Sequence, residues 1–131
     1  MDQVESLVIT NSSIGSLMNA QASSSLLNFE YVPPYNIGEY VDDLFGDFFS
    51  RHHNMKNLTL GSNRERSYFV VSYFLCFMIV NFLPELESIS IYNLSEVNRS
   101  VKLLCDLKNL KTLALSTDGY QQFVRTRYWF H

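Results

Sequence analysis

The residues of this chain that could bind a metal ion are two adjacent histidines, His52 and His53, and three aspartates before them, Asp42, Asp43 and Asp47. Adjacent side chains diverge in direction, and no cysteine or carboxylate lies nearby at the spacing of a zinc site. The aspartates lack the alternating spacing and the later glutamate of a calcium-binding loop. We therefore expect no bound metal. The aspartates are typical of a solvated helix face, and the histidines of a polar helix end, where a cationic side chain interacts favourably with the helix dipole.

Motifs for catalysis are equally sparse. The chain has no glycine-rich phosphate loop, no G-x-S-x-G turn and no paired Cys and His pattern. Its two cysteines, Cys76 and Cys105, lie in apolar stretches, which is typical of buried thiols in a reducing compartment. The basic and aromatic tail over residues 125–131 is more typical of packing than of stacking on nucleotides. We expect a protein that is not an enzyme and needs no cofactor.

The most informative feature is a six-residue phrase that recurs along the chain. Its copies occupy residues 4–9, 26–31, 55–60, 86–91 and 110–115. In most copies the first, fourth and sixth residues are apolar and the third is small and polar. The starts are separated by 22, 29, 31 and 24 residues, and recurrence at such intervals indicates a repeat fold.

The phrase predicts a strand with two different faces, because successive side chains of a strand point to opposite sides. The fourth and sixth residues are apolar or aromatic in every copy and should point into a core. The third and fifth residues are mostly small and polar and should point to water or to a partner. The core residues predicted in this way are Leu7, Ile9, Phe29, Tyr31, Leu58, Leu60, Ile89, Ile91, Leu113 and Leu115.

Residues 55–63 (MKNLTLGSN) match the fuller consensus L-x-x-L-x-L-x-x-N, and most of the chain resembles a leucine-rich repeat protein. At the last slot the other copies depart from asparagine. They carry Ser12, Pro34, Leu94 and Asp118. The resemblance implies an α/β fold, a solenoid of about four to five irregular repeats with parallel strands on the concave face and helices on the convex face. We expect one domain over residues 1–131, part of a longer solenoid, in which residues 116–131 form a tail or an incomplete C-terminal element.

Residues 82–89 (FLPELESI) are similar to the helix, proline, strand junction of the irregular repeats attached to F-box proteins. That resemblance implies a non-catalytic protein–protein interaction module, which selects substrates for a cullin-type ubiquitin ligase. Such a role needs an F-box, which we do not find in these residues. A repeat scaffold fragment without a ligase role is the alternative.

Helices are predicted between the strands. Residues 38–50 place apolar side chains on one face, and residues 95–107 do the same after a candidate cap, Ser95. Residues 14–25 predict a short helix that runs into a loop. Residues 67–83 are apolar almost all the way round, which indicates a fully buried helix or a membrane span.

The length of that apolar segment decides between the two. As a helix, residues 68–83 would rise about 24 Å, whereas the hydrocarbon core of a bilayer is about 30 Å thick. Repeat phrases also flank the segment on both sides. We therefore favour a buried helix, and a small membrane protein anchored by residues 68–83 is the other alternative.

The predicted partner surface is the polar face of the strands, because repeat proteins commonly bind through it. It is neutral and rich in hydrogen-bonding groups, with Tyr92 as its one aromatic anchor, and it suits a protein segment. We predict that the partner-binding residues are Ser6, Asn28, Asn57, Thr59, Ser88, Ser90, Tyr92, Thr112 and Ser116.

The charge distribution and the N-terminal sequence bear on partners and location. The net charge of −3 combines one basic and seven acidic residues up to Asn54 with nine basic and six acidic residues beyond it. The basic excess is scattered, whereas nucleic-acid binding needs a concentrated positive face. No basic segment followed by an apolar run occurs at the N-terminus, so we expect no signal peptide. We expect a protein of the cytoplasm, or of the nucleus, that binds protein and neither nucleic acid nor membrane.

Overall fold

The computed structural model describes residues 5–10, 26–32, 42–61, 69–117 and 120–124. In these residues it contains six strands and three helices. In chain order they are β1 (Ser6–Thr10), β2 (Asn28–Val32), α1 (Asp42–Arg51), β3 (Asn57–Leu60), α2 (Tyr73–Phe82), β4 (Ser88–Tyr92), α3 (Val97–Leu104), β5 (Thr112–Thr117) and β6 (Tyr120–Val124).

The strands form one sheet in chain order. β1 to β5 are parallel neighbours, and β6 turns back to pair antiparallel with β5. The fold is therefore α/β, with five parallel strands in the sheet, as the sequence predicts. The antiparallel partner is not foreseen by the repeat, because residues 120–124 lie in the segment that we describe from sequence as a tail.

The register aligns equivalent residues of the five repeated phrases. The third residues of the phrases pair in one row across the sheet: Ser6, Asn28, Asn57, Ser88 and Thr112. The backbone just before this row repeats as well. The carbonyl of Glu5 accepts hydrogen bonds from the amides of Leu27 and Asn28, both at 2.9 Å. Each later strand is entered by the same pair of bonds, so the phrase fixes the register wherever it occurs.

The predicted core face is confirmed in all but one of its ten residues. From Ile9 onward the fourth and sixth residues of each phrase are buried, whereas Leu7 on the edge strand is only partly buried. The described first residues of the phrases are buried too: Leu26, Met55, Leu86 and Leu110. On the opposite face the register sets Ala114 beside Ser90, and Ala114 is buried as well.

Helix α1 covers β2 through aromatic contacts. Phe48 packs on Phe29 with ring centroids 4.6 Å apart, and Phe45 meets Tyr31 edge-on at 5.2 Å. Gly46 allows α1 to approach α2 closely, since a Cβ there would lie 2.6 Å from Sδ of Met78. The described helix begins four residues after the predicted start, and residues 38–41 lie outside the described part of the chain, as do residues 14–25.

Helix α2 is shorter and less buried than the sequence predicts. It begins where Oγ of Ser72 accepts a hydrogen bond from the amide of Leu75 at 3.0 Å, and it ends before Pro84. Our expectation of a fully buried helix is wrong for Phe74 and Phe77, which are 51% and 48% exposed. The helix rests on the sheet with one side only, so its uniform apolarity does not mean uniform burial. Among the described residues, none of the helices has both the length and the apolarity that crossing a membrane requires.

Helix α3 begins later than predicted, and Ser95 is not its cap. The capping position is Glu96, in a left-handed conformation (φ 47°) and without a side-chain capping bond. The carbonyl of Ser95 instead accepts a hydrogen bond from Oγ of Ser100 at 3.0 Å. The predicted apolar face is confirmed, because Val101 and Leu104 are buried.

Candidate functional site

The face of the sheet opposite the helices is the candidate site, and we call it the open strand face. It consists of the third and fifth residues of the five phrases. In strand order they are Ser6, Val8, Asn28, Glu30, Asn57, Thr59, Ser88, Ser90, Thr112 and Ala114. All except Ala114 are half-buried or exposed. Since adjacent residues point to opposite sides, the same alternation that builds the core also presents this surface.

A chain of hydrogen bonds runs across the first three strands of this face. Nδ2 of Asn57 donates to Oδ1 of Asn28 at 2.5 Å, and Nδ2 of Asn28 donates to Oγ of Ser6 at 3.0 Å. These contacts follow from the register, which sets the three residues side by side at the entrance of their strands. The bonds orient both carboxamides in one direction across the sheet.

Next to this chain of bonds lies a shallow groove of about 200 Å³. Its lining comes from the first three strands: Ser6, Leu7, Val8, Asn28, Phe29, Glu30, Asn57 and Thr59. Val8 is 57% exposed and gives the groove an apolar patch, and Glu30 gives it a carboxylate. The strand alternation assigns both residues to this face, but our predicted partner residues omit them. Their exposure depends on how the strands and helices pack, which residue type alone does not reveal.

The remaining predicted residues continue the face toward β5. Thr59 and Ser90 share a second row, and Tyr92 lies opposite Ser116 in a third. Tyr92 is half-buried at the end of β4, whereas the side chain of Ser116 lies outside the described part of the structure. The predicted residues whose side chains the structure describes therefore fall on one side of one sheet, spread over three rows.

Apart from Glu30, the charges near the open strand face line the strand entrances. Glu87 lies between two lysines, with Oε2 3.7 Å from Nζ of Lys56 and Oε1 3.5 Å from Nζ of Lys111. These groups are one-third to two-thirds exposed, so each pair contributes well below about 1 kcal/mol to stability. They also leave the border of the open strand face nearly neutral.

The histidines and aspartates lie away from this face. Helix α1 ends at Arg51, so His52 follows a helix end as predicted, but it is buried rather than part of a polar end. Nδ1 of His52 is 2.8 Å from the carbonyl oxygen of Phe48, and its ring packs on the Phe48 ring at 4.3 Å. His53 is exposed. Over the described residues, no group of three or more histidine, cysteine, aspartate or glutamate residues could hold a metal ion.

Burial alters the acidity of two groups. Burial raises the pKa of the Tyr31 hydroxyl from 10.0 to about 12. Burial, together with the nearby carboxylate of Asp106, raises the pKa of the Cys105 thiol. Both shifts favour the neutral form, so neither group is set up as a nucleophile at neutral pH. Cys76 and Cys105 are thiols and not halves of a disulfide.

Comparison with known proteins adds no relatives. No family model, curated protein or solved structure matches this chain. Its function must therefore be inferred from its own surfaces, of which the open strand face has the most regular arrangement of hydrogen-bonding groups.

Proposed function

We propose that this chain is a protein–protein interaction module of the leucine-rich repeat type, which binds a protein segment through the open strand face. One observation carries the proposal. Five parallel strands present their third residues in a single in-register row, and four of the five are serine or asparagine. A surface built by repetition, and left uncovered by the three described helices, can match a partner over several strands.

The dimensions and chemistry favour a protein partner. Parallel strands lie about 4.8 Å apart, so a row of five spans roughly 19 Å. The groove beside it is shallow, whereas a site for a small molecule is usually a deep cleft. Hydroxyl and carboxamide groups both donate and accept hydrogen bonds, which suits the backbone and the polar side chains of a peptide. The near-neutral charge makes a phosphate-rich ligand a poor match.

A narrower form of the proposal assigns the partner to ubiquitin ligation. The junction at residues 82–89 supports it, because α2 ends at Phe82, Pro84 follows, and β4 begins at Ser88, in the order of the repeats attached to F-box proteins. In this form the open strand face selects a substrate for a cullin-type ligase, and an F-box in another part of the protein would supply the link. A scaffold without ligase function uses the same face and lacks the F-box.

The test compares proteins retained by four immobilised chains from an extract of the producing cells. They are the wild-type chain, Thr59→Arg on the open strand face, Tyr92→Ala at the end of β4, and Asn109→Arg in the exposed turn after α3. Thr59 lines the groove and lies on a central strand, so an arginine there should block the surface without entering the core. Asn109→Arg introduces the same side chain at an exposed position away from the face.

We expect a protein that the wild-type and Asn109→Arg chains both retain and that Thr59→Arg loses. Tyr92→Ala should retain less of the same protein, since aromatic side chains often carry much of the binding energy at interfaces. If every protein retained by the wild-type chain is retained equally by Thr59→Arg, the open strand face is not the binding surface. Retention of cullin-type ligase subunits by the full-length protein would separate the ligase form from the scaffold.

A further inference from the structure

The three helices form a layer on the other side of the sheet, and its outer surface is divided into three stripes. α2 lies between α1 and α3 and contacts both. Each helix connects the end of one parallel strand to the start of the next, so all three run in the same direction. The exposed stripes therefore run side by side, one from each helix.

The central stripe is apolar. Phe74 and Phe77 lie one turn apart on α2 and are 51% and 48% exposed. Val70, just before the helix, is 46% exposed. The whole of α2 contains no charged residue. Two aromatic side chains held half-exposed on a rigid helix mark an interaction surface rather than an ordinary solvated helix.

The flanking stripes carry opposite charges. α1 contains three aspartates and one arginine, a net charge of −2, and exposes Asp43 and Asp47. α3 contains one arginine and one lysine, a net charge of +2, and exposes Arg99 and Lys102. All lie within the first two turns of their helices, level with Phe74 and Phe77.

Contacts within the chain reduce the difference in charge between α1 and α3 without removing it. Asp47 pairs with Arg51 at 3.0 Å, and Arg99 pairs with Glu96 at 2.9 Å. Arg99 also lies over the ring of Tyr73, 4.1 Å from its centroid, which holds α3 against α2. Asp43 and Lys102 lie outside these pairs, one on each side of the aromatic stripe.

We propose that the occupant of this surface is a second copy of the chain, related by a two-fold axis parallel to the helices. Such an axis stacks the α2 stripes of the two copies on each other. It also places the acidic α1 of each copy opposite the basic α3 of the other, twice by symmetry. A two-fold interface needs a self-complementary patch, and an acidic, aromatic and basic sequence of stripes is self-complementary in this orientation.

This interface is independent of the proposed partner surface. The helix layer and the open strand face lie on opposite sides of the sheet, so a dimer leaves both open strand faces accessible. Dimerisation would present two copies of the partner surface, which increases avidity for a partner with repeated segments.

The first test is sedimentation velocity of the full chain over a wide range of concentrations. We expect the mass to rise from that of one chain toward that of two. Phe77→Glu should raise the dissociation constant roughly tenfold or more, as expected for a central aromatic residue of an interface. Val8→Glu, an equivalent change at an exposed apolar residue on the open strand face, should leave the dissociation constant unchanged. A single-chain mass at every concentration, or a dimer lost in Val8→Glu, would overturn the proposal.

The second test uses charge exchange and needs no change at the aromatic stripe. Asp43→Lys places lysine opposite Lys102 at both symmetric contacts, and Lys102→Glu places glutamate opposite Asp43, so each variant should dimerise more weakly than the wild type. In a mixture, the two variants should form a heterodimer with both contacts restored. High salt should reduce these differences, since exposed charges are screened. Lys108→Glu, in the turn after α3, is the matched control and should dimerise normally.

The single variants and the mixture together separate this geometry from one with the axis perpendicular to the helices. With a perpendicular axis, each charged stripe would face its own counterpart, so the wild type would already hold like charges in contact. The single variants would then dimerise about as well as the wild type, and their mixture more tightly than the wild type. Single variants that dimerise as tightly as the wild type, or a mixture that dimerises no better than either variant alone, therefore reject the proposed axis. Neither variant touches the open strand face, so failure here leaves the proposed function untouched, and failure of Thr59→Arg to block partner binding leaves the dimer untouched.

Discussion

The carboxamide of Asn57 donates a hydrogen bond of 2.5 Å to Oδ1 of Asn28, 29 residues earlier in the chain. The two residues are third in their phrases, and the register of β2 and β3 pairs them directly. The contact shows how the repeat acts. A pattern that looks local in sequence becomes a row of equivalent groups across separate strands, and the same register sets Asn28 beside Ser6.

Replacing a core residue of β4 should unfold the chain. Ile89 is fully buried on a central strand, and Ile89→Asp would place a charge in the core without a partner. We expect a loss of more than about 4 kcal/mol, which is a large fraction of the roughly 5–15 kcal/mol that stabilises an ordinary domain. Circular dichroism during heating measures it. Ser90→Asp is the matched control, because the next residue points to the other face, and it should melt within a few degrees of the wild type. A cooperative melt of Ile89→Asp at the wild-type temperature would disprove the strand assignment.

The two adjacent histidines should differ sharply in their contribution to stability. His52 is buried, packs on Phe48 and contacts the Phe48 carbonyl, whereas His53 is exposed. His52→Ala removes the ring contact and leaves the carbonyl without its histidine partner, so we expect a loss of about 1–3 kcal/mol. His53→Ala should change the free energy of unfolding by less than about 0.5 kcal/mol. Denaturant unfolding of both variants checks this. Equal losses would mean that the two side chains have similar environments.

Removing the hydroxyl of Tyr31 should stabilise the protein. The Tyr31 side chain is fully buried, and its oxygen has no hydrogen-bond partner in the described part of the structure. Tyr31→Phe keeps the ring contacts with Phe45 and Phe69 and removes the unsatisfied group. We expect a gain of about 1 kcal/mol at neutral pH, measured by denaturant unfolding. A loss of similar size would show that the hydroxyl has a favourable partner.

The raised pKa of Tyr31 also predicts that the wild type and Tyr31→Phe differ in stability at high pH. Its pKa is raised from 10.0 to about 12, so ionisation favours the unfolded chain. The stability linked to the neutral hydroxyl is complete below pH 10.0 and is lost as the pH rises toward 12. Over that range the wild-type chain should lose more stability than Tyr31→Phe. Parallel pH profiles for the two chains would contradict the raised pKa.

The cysteines should react with an alkylating reagent in a fixed order. Cys105 is half-buried and Cys76 is fully buried, so in the folded chain Cys105 should be labelled first. Because the pKa of Cys105 is raised, less thiolate is present at a given pH, and its labelling should be slower than that of an ordinary exposed cysteine. Mass spectrometry of digested protein follows both sites. Labelling of Cys76 at the rate of Cys105 in the native chain would contradict the burial of α2.

The success of sequence reasoning depended on backbone regularity. The alternation in the phrase predicted which side of β2 to β5 faces the core, because strand geometry leaves two choices and burial selects one. It did not predict the exposure of Phe74 and Phe77, since apolar composition does not reveal how many sides of a helix find neighbours. Residue type alone predicted Ser95 as the cap of α3. The capping position is instead Glu96, whose left-handed backbone the sequence pattern does not indicate.

Part of the candidate site could likewise be predicted from the sequence, and part could not. The small polar residues of the open strand face follow from the repeat, and the row of Ser6, Asn28 and Asn57 could be predicted as neighbours. The groove at Val8 and Glu30 could not, because it depends on which side chains the three-dimensional arrangement leaves uncovered.

The most direct test of the central claim is site-specific photo-crosslinking in the producing cells. A photoreactive amino acid replaces Thr59 on the open strand face in one chain and Asn109 in the turn after α3 in another. We predict a discrete cross-linked protein from position 59, of a mass that differs from two copies of this chain, and no corresponding product from position 109. The same products from both positions, or none from position 59 while the chain is folded and expressed, would contradict a partner-binding role for the open strand face.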